Sequence, residues 1–187
     1  IANNLANVNT VGFKRSRAEF QDMLYEQIRA SGNSDGTTGN TSPTNPLEVG
    51  QGVMPVTTQK IFSLGNVVQT NNELDIAVEG KGFFQVKLPN GDLAYTRHGV
   101  FKRNAEGLVV NSEGHPLEPQ LVVPTKARKI RIDSDGTVKM LEANQTEMQE
   151  IGKIETVLFV NPAGLESAGH SLYFETEASG TPIEATP

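Results

Sequence analysis

Gly82-Phe83-Phe84-Gln85-Val86-Lys87-Leu88-Pro89-Asn90-Gly91-Asp92-Leu93-Ala94-Tyr95-Thr96-Arg97 decides the fold class. Asn-Gly readily takes the positive φ that a tight hairpin demands, so Pro89 to Asp92 reads as a turn between two antiparallel strands, Gly82 to Leu88 and Leu93 to Arg97. Successive side chains of a strand point to opposite faces, which puts Phe83 and Phe84 on opposite sides of the sheet. A core on both sides is the expectation.

The same grammar extends outward in both directions. Upstream, Val53 to Phe62 and Leu74 to Val78 read as strands, the second with Leu74, Ile76 and Val78 inward against Asp75, Ala77 and Glu79. Downstream, Asn104-Ala105-Glu106-Gly107 suggests a second hairpin turn, with Leu108, Val109 and Val110 returning. Leu121 to Val123, Ile130 to Asp133, Thr137 to Leu141, Ile154 to Val160 and Ser171 to Thr176 complete the set. The expected fold is mainly β: an antiparallel, hairpin-rich domain over 53–187, without the alternating helices of a βαβ fold.

The first 52 residues have a different character. Asn3, Asn4, Asn7 and Asn9 bond their own main chain and tolerate left-handed backbone, and Gly12 takes positive φ freely, so a helix arriving from upstream should stop here. Ala2, Leu5 and Ala6 sit at helical spacing, giving a short N-terminal helical segment with a small apolar face. Phe20, Met23, Leu24, Gln27 and Ile28 recur at three and four residues within Ser16 to Ala30, which predicts a short amphipathic helix. The organisation expected is thus a helix remnant and linker over 1–30, a long polar loop over 31–52, and the β domain. Ser31 to Pro46 holds hardly a residue able to build a core and cannot offset an ordering entropy of roughly 1–2 kcal/mol per residue, so disorder is expected in isolation. At the other end, Ala178-Ser179-Gly180-Thr181-Pro182 reads as exposed tail.

A chain of 187 residues with 36% hydrophobic content and a net charge of −6 is globular and unsuited to general nucleic-acid binding, which needs a basic face. Lys14, Arg15 and Arg17 cluster, but Glu19 and Asp22 follow, as on a solvated mixed-charge face. Without cysteine there are no disulfides or thiolate metal sites. No run approaches the roughly 20 apolar residues of a membrane helix, and no signal-peptide core is visible.

Chemical motifs fare poorly. Asp133-Ser134-Asp135-Gly136 imitates a calcium loop, but the register puts Arg131 and Lys139 where oxygen ligands belong, and the flanking alternation fits a hairpin turn. His98, His115 and His170 are dispersed and lack a metal-ligand spacing, so surface histidines are expected. Gly80-Lys81-Gly82 lacks the context of a dinucleotide fingerprint, and there is no Gly-x-Ser-x-Gly elbow. No cofactor and no catalysis are expected.

Ala2-Asn3-Asn4-Leu5-Ala6-Asn7-Val8-Asn9-Thr10-Val11-Gly12-Phe13-Lys14 resembles the N-terminal signature of the flagellar axial proteins, the rod and hook subunits. Residues 65–86, from Gly65-Asn66-Val67-Val68 to Gly82-Phe83-Phe84-Gln85-Val86, then Ala94-Tyr95-Thr96-Arg97 and Asn161-Pro162-Ala163-Gly164-Leu165, continue the resemblance in order over most of the chain. The resemblance implies a structural subunit of the basal-body rod. Such subunits pack terminal helices around an export channel, with the β domain outside, and polymerise into a rigid periplasm-spanning shaft exported by the flagellar apparatus. It also implies partners: identical subunits, proximal rod and hook proteins, and ring proteins, with no nucleic acid and no membrane insertion. On it, Asn3, Asn4, Leu5, Ala6, Asn7, Thr10, Gly12, Phe13, Phe20, Leu24, Asn33, Asn40, Leu47 and Val49 are the subunit-interface candidates. Both terminal assembly helices are expected to be missing from this stretch, which begins without methionine, so the isolated fragment is expected to be a soluble monomer. The loop after Ser31 is expected to stiffen the rod through subunit contacts. The alternatives are a proximal rod or hook subunit, or a secreted β domain that binds glycan or peptidoglycan, for which Phe83, Phe84, Tyr95 and Tyr173 would have to be exposed together.

Overall fold

The computed structural model describes residues 2–29, 47–143, 145 and 147–185, and every statement of structure below concerns these residues. Two compact units emerge, one from residues 1–15 and 61–187, the other from 16–60.

The chain starts in the first unit with a single helical turn, α1 (Ala2–Ala6). Asn7 closes it: its amide and its side-chain nitrogen both donate to Asn3 O, at 3.2 and 2.9 Å. Gly12 then turns the chain at φ 73, as expected of the only residue in the stretch without a Cβ.

The second unit corrects the helix expected over Ser16 to Ala30. Its residues form β1 (Ser16–Asp22) and β2 (Tyr25–Arg29), which pair antiparallel with β4 (Val53–Lys60) and β3 (Leu47–Gly50) respectively. Met23 N to Gly52 O at 2.8 Å and Gln51 N to Leu24 O at 3.4 Å join the two pairs into one ribbon. A helical spacing of apolar residues predicts a helix only when one face is buried against something, and here β1 is exposed along nearly its whole length. Cross-strand hydrogen bonds to 47–60 decide the conformation instead. The polar loop thus gives way to strand by Leu47, while 30–46, with the interface candidates Asn33 and Asn40, lie outside the described residues.

The first unit is the hairpin-rich domain. It contains β5 (Phe83–Lys87), β6 (Leu93–Thr96), β7 (Lys102–Arg103), β8 (Val109–Val110), β9 (Leu117–Glu118), β10 (Ala127–Ile132), β11 (Thr137–Glu142), β12 (Gln149–Lys153), β13 (Thr156–Leu158), β14 (Glu166–Gly169), β15 (Leu172–Phe174) and β16 (Ile183–Ala185). The main sheet runs β14-β15-β6-β5-β13-β16, with β9 also paired to β5, and a separate sheet runs β10-β11-β12. All three turns read from sequence form: Gly91 at φ 92, Gly107 at φ 88 and Gly136 at φ 81.

Phe83 and Phe84 are fully buried on opposite faces of β5, as expected. Phe84 joins Leu74, Val86, Phe101, Leu117 and Val138 in the larger core, and Phe83 joins Tyr95, Val157, Phe159 and Tyr173 in the smaller. Edge-to-face ring pairs bind the smaller core, among them Phe83–Phe159 at 5.7 Å and Tyr95–Phe159 at 4.8 Å between centroids. Such pairs contribute about 0.5–1.5 kcal/mol each beyond their burial.

Three expectations about strands and ends need correction. Leu74 to Val78 and Leu121 to Val123 alternate as strands do, yet each makes only an isolated bridge, Asp75–Val100 and Val122–Leu108. Their apolar side chains still reach the core, so alternation here records burial and not a ladder. The segment expected as exposed tail is tied down: Ser179 is fully buried and its Oγ accepts from Thr176 N at 2.9 Å, and β16 beyond it pairs with β13.

Candidate assembly surface

Apolar side chains gather unburied on the ribbon of the second unit. Phe20 is 65% exposed, Leu24 85%, Val53 67% and Val56 54%, with Met23, Tyr25, Val49 and Met54 also exposed. In register, Phe20 faces Pro55 while Gln21 faces Met54, so apolar residues appear on both faces of the ribbon. A two-stranded ribbon with no face buried is marginal in water, so apolar side chains exposed along it make the ribbon a candidate interaction surface. The interface candidates Phe20, Leu24 and Val49 all lie on it, and Leu47 opens its third strand.

The N-terminal candidates divide. Asn3, Asn4, Leu5 and Ala6 lie on α1, with Leu5 73% exposed, and Asn7 closes the turn. Thr10, Gly12 and Phe13 instead belong to the seam where the N-terminal segment lies on the first unit. A Cβ added at Gly12 would stand 3.0 Å from His98 Cα. Phe13 N donates to Thr10 O at 3.2 Å, which folds the seam's own turn.

Two cations fasten this seam, and neither was given a role by the sequence. Lys14, expected on a solvated face, is half-buried and donates to Ser63 O at 2.8 Å. Burial, aided by the nearby Arg97 charge, lowers its pKa. Burial also lowers Arg97, whose guanidinium carbon lies 4.8 Å over the Phe83 ring. Its Nε and one terminal nitrogen have no hydrogen-bond partner among the described residues. The ring face offsets part of that loss, since a desolvated cation over an aromatic is stabilised by about 2 kcal/mol. The signal available was Arg97 itself, a lone cation inside an alternating strand pattern.

Dispersed along the chain, two of the histidines meet one carboxylate in space. Glu113 meets His170 Nδ1 with one oxygen at 3.0 Å and His115 Nε2 with the other at 3.4 Å. His98 lines a cavity of about 240 Å³ with Thr10, Val11, Glu113 and His170. Burial lowers the His98 pKa, against the opposing pull of Asp75 and Glu113. Glu113 and His170, 57 positions apart, are brought together by the fold, which spacing along the chain does not reveal. No group of three or more His, Asp or Glu is arranged to hold a metal ion among the described residues.

The calcium-like loop is a turn. Asp133 N donates to Thr137 O at 2.9 Å, and the Asp133 carboxylate takes Lys139 at 2.7 Å and Arg131 at 2.9 Å. The Lys139 hydrogen bond first, then both charges, hold its carboxyl below the usual range. Phe83, Phe84, Tyr95 and Tyr173 are at most 2% exposed, which removes the aromatic surface that a glycan-binding reading required.

Residues 77–140 match the family model of the flagellar hook protein FlgE/F/G D1 domain, and residues 1–14 that of the flagella basal body rod protein. The chain is 45% identical over 187 residues to the flagellar basal-body rod protein FlgG of Buchnera aphidicola subsp. Schizaphis graminum, covering all of this chain and 71% of that protein. It is 41% identical over the same span to the flagellar basal-body rod protein FlgG of Caulobacter vibrioides, again covering 71% of it. Similarity to the flagellar hook protein FlgE of Helicobacter mustelae is 39% over 120 residues, 63% of this chain and 26% of that one.

Proposed function

The chain belongs to the family of flagellar basal-body rod proteins, and from that premise we propose that it is a subunit of the distal rod that polymerises into a rigid tubular shaft, surrounds the export channel and transmits torque to the hook. The observation that carries the assembly reading is the ribbon of residues 16–29 and 47–60, where Phe20, Met23, Leu24, Tyr25, Val49, Val53, Met54 and Val56 all stay exposed and from which neither hydrophobic core draws a described residue. Neighbouring identical subunits are its natural cover, because heterologous contacts that repeat without closing build a filament. Rod-type relatives match along the whole chain whereas the hook relative matches over 63% of it, which favours rod over hook. The role is structural, with no catalysis and no cofactor. In the cell the protein would be exported by the flagellar apparatus, span the periplasm within the basal body, and touch proximal rod, hook and ring proteins.

The test is to place Phe20→Ser and Leu24→Ser together in the full-length protein and to image basal bodies. Shortened or missing distal rods, with the protein still folded and exported, are the expected result; rods of normal length and number would defeat the reading.

A further inference from the structure

The three-stranded sheet β10-β11-β12 ends in two open edges of opposite charge. Four of the chain's 16 basic residues fall within 126–131, in a molecule of net charge −6. Of these, Lys126, Arg128 and Lys129 are exposed on or beside β10, and Arg131 is engaged by Asp133. At the opposite edge Glu147, Glu150 and Glu155 are exposed along and beside β12, with Lys153 among them. Arg131 stands opposite Lys139, and Lys139 opposite Glu150, so the sheet's outer face grades from positive to negative across the strands.

Neither edge is suited to adding a strand. The register shifts between Ala127 and Lys129 on β10, and on β12 Ile151 is skipped between Gly152 and Glu150. On β10 the outward amide of Ile130 already donates to Glu73 Oε2 at 3.0 Å. Bulges and charges at an edge obstruct main-chain pairing, so what these edges offer a partner is their side chains.

We propose that the basic β10 edge of one copy docks against the acidic β12 edge of a second copy, a head-to-tail contact built on charge. It rests on the reading of the chain as a self-assembling rod subunit. A second copy is the occupant because one sheet carries both complementary halves, so each copy offers the next the edge that the last one offered it. Both edges belong to the first unit, so this contact is separate from the ribbon.

Sedimentation velocity of the concentrated chain in low salt tests it. Weak association that disappears in high salt is expected, since exposed charges are screened. Arg128→Glu with Lys129→Glu, or Glu147→Lys with Glu155→Lys, should each weaken association about tenfold or more. Combining all four substitutions, or mixing the two double variants, should restore it. All four positions are exposed, and circular dichroism checks that each variant folds. No association of the parent chain, indifference to either reversal, or failure of the combined variant to recover would each overturn the contact. Failure of the edges beside rods that still depend on Phe20 and Leu24 would remove this contact alone. Charge-dependent association beside normal rods in the Phe20→Ser, Leu24→Ser variant would remove the ribbon reading alone.

Discussion

At the scale of single residues, Gly99 leaves no room for a side chain. Ile76 N donates to Gly99 O at 2.8 Å, and a Cβ at Gly99 would collide with Ile76 O. Main-chain atoms cannot swing away as a side-chain end can. Gly99→Ala should therefore lower unfolding stability by about 3 kcal/mol, at the upper end for overpacking, as read by denaturant titration. Tyr95 sets a second expectation. Burial, then the Glu175 carboxylate it reaches at 3.4 Å, raises its phenol to about 12 from 10.0. A pKa raised in the folded state means that the native protein holds the proton more tightly than the unfolded chain. The resulting stabilisation is complete below pH 10 and is lost as pH rises toward about 12. Tyr95→Phe should flatten that part of the alkaline unfolding profile, and an unchanged profile would place its cause elsewhere.

At the scale of elements, the hairpins were legible because their turn chemistry is local. Asn90-Gly91, Asn104 with Gly107, and Asp133 with Gly136 each carry side-chain acceptors and a positive-φ glycine within four residues. Of the ribbon only β4 was legible, as the strand read over Val53 to Phe62; β1 to β3 were not, because they lack the one buried face that gives a readable period. Phe20, Met23 and Leu24 then mimic a helix by spacing alone. Exposed backbone hydrogen bonds with few buried contacts open readily. Amides of Phe20 and Met54 should accordingly exchange faster in the free chain than those of Phe84 and Val86 and slow markedly in the assembled rod. Equal protection of both pairs in the free chain would mean that the ribbon needs no partner. For the β10–β11 turn, Asp133 is already held by Arg131 and Lys139, so calcium should leave the melting temperature unchanged. A rise on adding calcium would show that a ligand set exists after all.

At the scale of the whole molecule, the family and the place of the core were more legible than the contacts between residues distant in the chain. The two cores on either side of β5 followed from Phe83-Phe84, and the family from the motif order. Lys14, Arg97 and Glu113 were missed, because each acts on residues distant in sequence: Ser63, Phe83 and His170. Two cores hold the first unit and none holds the ribbon, which is why the proposed assembly is tested on the ribbon. The chain contains no cysteine, so one thiol can report on that division without interference. Leu24→Cys, 85% exposed at the parent leucine, should react fully with a water-soluble maleimide in the free protein and be shielded once full-length subunits are assembled into basal bodies. Equal labelling in free protein and intact rods would contradict the claim that this ribbon is where rod subunits meet.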